Sequence, residues 1–205
     1  MILNHTLALD MGVTWKRVAP YSKALKLVFC GHEHGDHFKA GTIRALARER
    51  PSLRFCGGPW MISRFLAAGV PAANLDVVEA GKLYDYGAFQ IEPVELHHNV
   101  PNYGLRIFAG GKKAIYIVDT GSVSGIEAKG YNLYLLERNH SRAEIEARIA
   151  AKHAAGEFAY EEAAMRNHLS EEQALEWLAE NMGPESRYVF LHQHVDKKKK
   201  TEGTA

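Results

Sequence analysis

The segment Gly-His-Glu-His-Gly-Asp-His at positions 31–37 is the part of the sequence with the clearest chemical meaning. Within six positions it holds four side chains that can bind metal ions: His32, His34, Asp36 and His37. Imidazole nitrogens and carboxylate oxygens suit zinc, manganese or iron. Because alternate residues of an extended segment point to the same side, His32 and His34 can reach one ion while the other two side chains face a second. The segment therefore predicts a site for two divalent metal ions.

Further candidate residues follow other apolar segments, each at the point where a predicted strand ends. They are His98, Asp119, Glu137 and His192. A single histidine at a strand end is more often structural than a ligand, but strand ends along one edge of a sandwich share a rim. Their joint occurrence with residues 31–37 indicates that they belong to the same site. His194, two residues beyond His192, stays open as the alternative ligand from the last strand.

The elements that must position these residues follow from the hydrophobic pattern. It predicts strands at residues 2–9, 25–30, 53–56, 89–96, 131–136 and 188–191, and a hairpin made of 103–108 and 114–118. Helical spacing predicts helices at residues 40–50 and 59–68, and two later helices that begin at capping boxes, 141–144 and 170–173. Strands dominate the first two thirds and helices cluster late, which favours two packed sheets with helices outside.

Length and composition are those of one domain with a full core. The chain has 205 residues, 46 % of them hydrophobic, and we expect a single domain over residues 1–196. No run approaches the roughly 18 apolar residues of a membrane span, and no signal peptide is recognisable at the start. Two cysteines, Cys30 and Cys56, do not make a disulfide framework; both are expected to be buried thiols in a reducing, cytoplasmic setting.

Charge is distributed unevenly along the chain. Residues 1–196 carry a net charge of −2, and residues 197–205, which include four consecutive lysines, carry +3. We expect the latter to be a disordered, basic tail. The body shows no basic stripe, so tight binding to a long duplex is not indicated.

Taken in order, these motifs resemble those of the metallo-β-lactamase fold superfamily. The resemblance rests on residues 31–37, then His98, then Val118-Asp119-Thr120-Gly121, then a late histidine at a strand end. It implies a four-layer αβ/βα sandwich, an α/β fold with two mixed sheets and a two-metal site at the edge between them. By the same resemblance, His32, His34 and His98 hold the first metal. Asp36, His37 and His192 hold the second, and Asp119 bridges both.

Two neighbouring residues receive supporting roles from the resemblance. Asp10 matches an early aspartate whose role is to support the metal-binding loop. His97 is expected to have no metal role, because His98-Asn99-Val100-Pro101 is the stretch that resembles the superfamily's His-Asp segment.

Two later segments are similar to those of RNase Z and its relatives, including the small YycJ-like exonucleases. They are residues 135–140, Leu-Leu-Glu-Arg-Asn-His, and residues 166–170, Arg-Asn-His-Leu-Ser. The resemblance implies that Glu137 orients His168, which donates a proton to the leaving oxygen; a carboxylate beside an imidazole makes it more basic. Asp36 is the third expected catalytic residue, and His140 is expected to be structural or to support the site.

The function expected from this resemblance is a two-metal phosphodiesterase that acts on nucleic acid or nucleotides. Zinc is the expected metal, with manganese or iron as alternatives. Only seventeen residues separate Asp119 from Glu137, which leaves no room there for the tRNA-gripping arm of RNase Z. A hydrolase of cyclic nucleotides, as found among phage enzymes of this compact kind, therefore stays open. So does a carbon-centred hydrolase of lactams, thioesters or lactones; a non-enzymatic metal-binding module is disfavoured. The resemblance also implies a homodimer, with no membrane partner.

Overall fold

Two β-sheets pack face to face in the computed structural model, which describes residues 1–193. The first sheet contains β1 (Ile2–Leu3), β2 (Leu7–Leu9), β3 (Leu27–Phe29), β4 (Arg54–Gly57) and β5 (Leu75–Val77), in that spatial order. Strands β2 to β5 run parallel to one another, and β1 is antiparallel to β2. The sheet is therefore mixed, with its parallel strands all ending at the same edge.

The second sheet has six strands: β6 (Tyr84–Asp85), β7 (Gln90–Leu96), β8 (Asn102–Ala109), β9 (Lys112–Ile117), β10 (Leu133–Glu137) and β11 (Arg187–Leu191). Their spatial order is β11-β10-β9-β8-β7-β6. Strands β9, β10 and β11 are parallel, while β6 to β9 form an antiparallel meander. Because β7 runs in the same direction as β9, the ends of β7, β9, β10 and β11 all lie along one edge of this sheet.

Within residues 1–193, six α-helices accompany the two sheets. They are α1 (Trp15–Val18), α2 (Ala40–Glu49), α3 (Ile62–Ala67), α4 (Arg142–Ala154), α5 (Glu161–Asn167) and α6 (Glu171–Asn181). The longest of these, α4, has 13 residues, and no helix within residues 1–193 is long and apolar enough to cross a membrane.

Three buried apolar clusters separate the four layers, and strand β3 shows how. Val28 faces one outer cluster, where it meets Ile43 and Leu46 of α2. Its neighbours Leu27 and Phe29 face the opposite way, into the cluster between the two sheets. The second outer cluster places β9 and β10 against α6 through residues such as Trp177. The predicted αβ/βα sandwich is confirmed, and the uninterrupted apolar run of β3 reflects burial on both faces.

Several predicted elements differ from the observed ones in informative ways. The strand predicted at 2–9 is two strands joined by a tight turn, in which Asn4 and His5 adopt left-handed φ values of 46° and 57°. The helix predicted at 59–68 begins as a 3₁₀ turn at Pro59–Met61 before α3. Helices α1 and α5 and strands β5 and β6 were not predicted, because each is too short to show a period.

The two predicted capping boxes have opposite outcomes. The box at residues 170–173 is confirmed: the Gln173 amide donates to Ser170 Oγ, and the Ser170 amide donates to Gln173 Oε1. The box at 141–144 was wrong, because Ser141 makes no side-chain capping bond. The carboxylate of Glu172, from α6, accepts from the Arg142 amide instead. His194 and the basic tail at 197–205 lie outside the described residues.

Candidate metal centre

The predicted ligands meet where the parallel strands of both sheets end. The segment 31–37 follows β3, and the second sheet contributes side chains that lie one or two residues beyond the ends of β7, β9 and β11. All seven predicted ligands lie in this cluster: His32, His34, Asp36, His37, His98, Asp119 and His192. Residues that are up to 156 positions apart in sequence come within 3.3 Å of each other here.

A first group of potential ligands surrounds the buried imidazole of His32. Its Nε2 lies 3.1 Å from Asp119 Oδ2, and the His34 Nδ1 lies 3.3 Å from the His98 Nε2. Ligand atoms of these four residues all lie within 4.8 Å of one another. Three imidazoles and one carboxylate at such distances match the donor set of a single divalent ion.

A second group also adjoins Asp119, partly through the same oxygen, Oδ2, that lies near His32. The His37 Nε2 is 2.8 Å from Asp119 Oδ2 and 3.5 Å from Asp36 Oδ2, and the same Asp36 oxygen is 3.3 Å from His192 Nε2. Asp36, His37 and His192 form a further potential ligand set. Asp119 contacts both groups, which is the position that the sequence predicted for a bridging carboxylate.

Glu137 and His168 adjoin these groups. The His168 Nδ1 lies 2.6 Å from Glu137 Oε1 and 3.3 Å from Asp119 Oδ1. The same Glu137 oxygen is 3.0 Å from His192 Nδ1. Asp119, Glu137, His168 and His192 form a third set of mutually close potential ligands. Glu137 and His168 are therefore candidates for metal binding as well as for their predicted catalytic roles.

Unsatisfied polar atoms show that the residues present fit metal ions. Among the described residues, four buried side-chain atoms lack a hydrogen-bond partner, and three of them are His32 Nε2, His37 Nε2 and Asp119 Oδ1. A buried polar atom without a partner costs about 1–3 kcal/mol. Here the lone atoms converge on one small volume at the shared carboxylate, so bound cations would satisfy them together.

The charges of the site respond to one another strongly. Burial opposes ionisation of Asp119, but contacts with His168, His192 and His32 hold the pKa of its carboxyl far below the ordinary value. Burial alone would lower the pKa of His37, yet its contacts with Asp10, Asp119 and Asp36 raise it to about 12. In the absence of metal these contacts favour the protonated form of His37, so a cation that binds there would displace a proton.

The pKa values of His98 and His168 depend on the same balance between burial and neighbouring charges. Burial lowers the pKa of His98 to about 4. For His168, burial is outweighed by contacts with Asp119 and Glu137, which raise the pKa to about 9. His98 is therefore neutral at physiological pH and ready to act as a ligand, whereas the environment of His168 favours its protonated form.

His37 is oriented by a buried network around Asp10. The His37 Nδ1 donates to Asp10 Oδ2 at 2.7 Å, which leaves Nε2 directed at the metal site. Asp10 also accepts from the Gly31 amide at 3.0 Å and from the Tyr116 hydroxyl at 2.6 Å. The geometry matches the supporting role expected for Asp10. Tyr116 was not identified from the sequence, where a tyrosine in an apolar strand carries no functional signal.

His98 is oriented by the end of α5. Its Nδ1 donates to the Asn167 carbonyl oxygen at 3.1 Å, so Nε2 faces the first ligand group. Gly121 packs against the same turn: a Cβ there would lie only 1.9 Å from the Arg166 carbonyl oxygen. The neighbouring His97 contributes only its backbone, donating to Thr120 Oγ1 and accepting from the Gly121 amide. His140 pairs through its backbone with Ser170, next to the site.

A four-layer sandwich with clustered histidines and a shared carboxylate at its rim defines a class, the metal-dependent hydrolases of the metallo-β-lactamase fold. Sequence comparison agrees, because the family model of the beta-lactamase superfamily domain matches residues 11–193. The chain belongs to this superfamily. A search of curated protein sequences found no match.

Solved structures share the fold at low sequence identity. The metallo-β-lactamase fold protein YhfI from Bacillus subtilis is 17 % identical, with a TM-score of 0.69 over 91 % of this chain and 73 % of its own. The short form of human tRNase Z is 14 % identical, with a TM-score of 0.65 over 94 % of this chain and 83 % of its own. A diphosphatase of the PhnP family is 12 % identical, with a TM-score of 0.62 over 91 % and 67 % respectively.

Proposed function

We propose that this protein is a phosphodiesterase that hydrolyses phosphodiester bonds of nucleotides or nucleic acid with two divalent metal ions. The observation that carries the proposal is the contact between Glu137 and His168, 2.6 Å apart beside Asp119. Cleavage of a phosphodiester releases an alkoxide oxygen that needs a proton. An imidazole held by a buried carboxylate next to the metal ligands can supply it.

Glu137 is held in place from one side. It is fully buried, and its Oε2 accepts from the Thr120 amide at 3.1 Å and from the Leu169 amide at 3.4 Å. These bonds stabilise the ionised carboxylate and direct Oε1 toward the imidazoles. His168 Nδ1 donates to Oε1, so its Nε2 is the nitrogen that can carry a proton to the leaving oxygen.

The metal ions would be held by the two ligand groups around Asp119. Once bound, they would lower the pKa of water and offset the negative charge of the phosphoryl oxygens. Zinc fits the three imidazoles of the first group best, with manganese or iron as alternatives. The predicted assignment is His32, His34 and His98 to one ion, Asp36, His37 and His192 to the other, and Asp119 to both.

Asp36 is the most accessible carboxylate of the site, with 65 % of its side chain exposed. Contacts with His192 and His37 lower the pKa of its carboxyl well below the ordinary value, so it is ionised at neutral pH. One oxygen contacts both imidazoles. We assign to the other the role of accepting a hydrogen bond from the attacking water and so orienting it.

Two further observations support a phosphorus substrate and bear on its size. The solved relatives include a tRNase Z and a diphosphatase, whose names describe hydrolysis at phosphorus. Residues 1–196 have a net charge of −2, which favours short or cyclic nucleotides over long duplexes. Hydrolysis of lactams, thioesters or lactones remains the second candidate, because the same metal ligands serve carbonyl substrates.

The test is a substrate panel with metal-loaded protein. It compares bis(p-nitrophenyl) phosphate, single-stranded RNA, single-stranded DNA and the four 3′,5′-cyclic nucleotides with nitrocefin and a thioester. The His168→Ala variant should keep its metal content and lose turnover of RNA, DNA and cyclic nucleotides by a factor of about 10²–10⁴. Its turnover of bis(p-nitrophenyl) phosphate should change little, because p-nitrophenolate leaves without a proton. His153→Ala, which removes an exposed histidine of α4, is the matched control. Full turnover of RNA, DNA and cyclic nucleotides by His168→Ala, or cleavage of only the carbonyl substrates, would refute the proposal.

A further inference from the structure

A cavity lies beside the metal centre, between the loop that follows β10 and the helices α4 and α5. Its volume is about 200 Å³. The wall includes Asn139, His140, Ile145, Tyr160, Ala164 and Gln193. Pockets for drug-sized ligands measure about 300–1,000 Å³, so this cavity suits one ring system rather than a whole nucleotide.

The cavity is separated from the metal centre by one side chain. Asn139 Nδ2 donates to the His192 carbonyl oxygen at 3.2 Å and lies 3.4 Å from His192 Nδ1. The Asn139 amide donates to the carbonyl oxygen of Leu169, the residue after His168. The cavity therefore adjoins the metal centre through Asn139, although none of the predicted metal ligands lines it.

Five charged side chains line the wall: Arg138, Glu144, Arg148, Glu161 and Glu171. Arg138 Nη1 lies 3.0 Å from Glu171 Oε1, and its Nη2 donates to Gln193 Oε1 at 3.1 Å. Glu161 pairs with Lys152 at 2.7 Å. Because Arg138, Glu161 and Glu171 each have an opposite charge or an amide beside them, the wall is better suited to an uncharged polar group than to a second phosphate.

The rest of the wall has the chemistry of a ring-binding site. His140 Nδ1 is the fourth buried side-chain atom without a hydrogen-bond partner among the described residues, and it lies outside the predicted metal ligands. Ile145 offers a buried apolar surface, and Tyr160 offers an aromatic ring that is 53 % exposed. The Lys152 ammonium lies over one face of this ring, 3.9 Å from its centroid, so a base would contact the other face. An apolar surface, an aromatic ring and an unpartnered imidazole nitrogen together fit a planar heterocycle with donors and acceptors at its edge.

We propose that this cavity binds the nucleobase of the substrate while the phosphodiester lies at the metal centre, an inference that rests on the proposed function. It makes the cavity the determinant of substrate choice. It assigns His140 to hydrogen bonding with the base edge and Tyr160 to contact with its face.

Binding of free nucleosides tests the cavity without any catalysis. Adenosine, guanosine, cytidine and uridine are titrated by calorimetry into the full-length protein in the absence of added metal. The Ala164→Phe variant fills the cavity, and Ala163→Phe, at an exposed position of the same helix that does not line it, is the matched control. We expect at least one nucleoside to bind, and Ala164→Phe to weaken it by at least about tenfold, which corresponds to ~1.4 kcal/mol.

His140→Ala provides a second variant that adds no bulk and should weaken the same nucleoside. Circular dichroism and the melting temperature establish that each variant is folded. Absence of nucleoside binding to the unmodified protein overturns the inference. So does equal binding by the Ala164→Phe and Ala163→Phe variants.

Kinetics with metal-loaded protein separate this inference from the proposed function. The p-nitrophenyl ester of the 5′-monophosphate of the nucleoside that binds most tightly carries a base that the cavity accepts, and bis(p-nitrophenyl) phosphate carries none. Ala164→Phe should raise KM for this nucleotide ester by about tenfold and leave KM for bis(p-nitrophenyl) phosphate unchanged. Equal effects on both esters contradict the nucleobase site. Failure of the unmodified protein to cleave either ester contradicts the phosphodiesterase itself, and nucleoside binding then decides the role of the cavity alone.

Discussion

Replacing Tyr116 by phenylalanine removes one atom from the network that orients His37. The Tyr116 hydroxyl donates to Asp10 Oδ2 at 2.6 Å, and the same oxygen accepts from His37 Nδ1 at 2.7 Å. Asp10 and His37 are both buried. The substitution leaves the ring and its packing between the sheets intact, so its effect reports the hydrogen bond alone.

The expected loss of stability follows from the charge of the acceptor. A hydrogen bond to a charged group contributes about 1.5–3 kcal/mol, and Asp10 keeps its bonds from Gly31 and His37. For a chain of this size, each 1 kcal/mol shifts the melting temperature by roughly 2–4 °C. Tyr116→Phe should therefore lower the melting temperature of the metal-free protein by about 3–12 °C.

The second expected effect is on metal affinity. Losing a partner that orients a metal-binding histidine typically weakens metal binding by about 10–100-fold. Tyr116 acts through Asp10, one step further away, so we expect the lower end, about tenfold. Competition with a chromophoric chelator measures the affinity for zinc, independently of any enzymatic activity.

Tyr188→Phe is the control, because it removes a hydroxyl from an exposed tyrosine on the outer strand β11. It should leave the melting temperature and the zinc affinity unchanged. If Tyr116→Phe melts and binds zinc like the unmodified protein, then Asp10 and His37 hold their positions without the hydroxyl. The hydrogen bonds between Tyr116, Asp10 and His37 would then be dispensable for binding of the second metal ion.

Three further changes test other parts of the molecule. Gly121→Ala places a Cβ 1.9 Å from the Arg166 carbonyl oxygen. It should lower the free energy of unfolding by about 1–3 kcal/mol and reduce turnover by shifting His168. The control is Gly125→Ala, where no atom would crowd the Cβ but φ is +77°, and it should affect stability alone. Chelation of the metals should lower the melting temperature, since ligand at 100 times its Kd adds about 2.7 kcal/mol; an unchanged melting curve with EDTA would contradict a metal centre in the native protein. Glu137→Gln should keep two metals per chain, measured by elemental analysis, and lose turnover; loss of one metal would instead make Glu137 a ligand.

Much of the fold was predictable because its signals are local. Strand β3 is a continuous apolar run, and the confirmed capping box at residues 170–173 occupies four consecutive residues. The false box at residues 141–144 shows the limit of this reasoning. There the sequence pattern was present, but Glu172 from another helix satisfied the Arg142 amide and Ser141 was left without a capping bond.

The candidate site divides along the same line. Residues 31–37 contain four potential ligands in one short segment, and alternation along an extended chain predicted that His32 and His34 share one side. Asp36 has the same parity, and its position beside His37 results from the turn at residues 35–37. The partners of those ligands are not local. Tyr116 lies 106 residues from Asp10, and the Asn167 carbonyl lies 69 residues from His98.

The amino-acid types account for the chemistry of the site, namely which side chains can hold metals, and the hydrophobic periods account for the strands that lead to them. The orientation of these side chains and the cavity beside them depend on tertiary packing. His98 is oriented by a backbone carbonyl, that of Asn167. Every residue has a backbone carbonyl, so no residue type in the sequence marks this partner. The cavity wall brings together α4, α5 and the loop after β10. Their relative placement depends on the packing of α4 against α5 and on the bridge between His140 and Ser170 rather than on any local pattern.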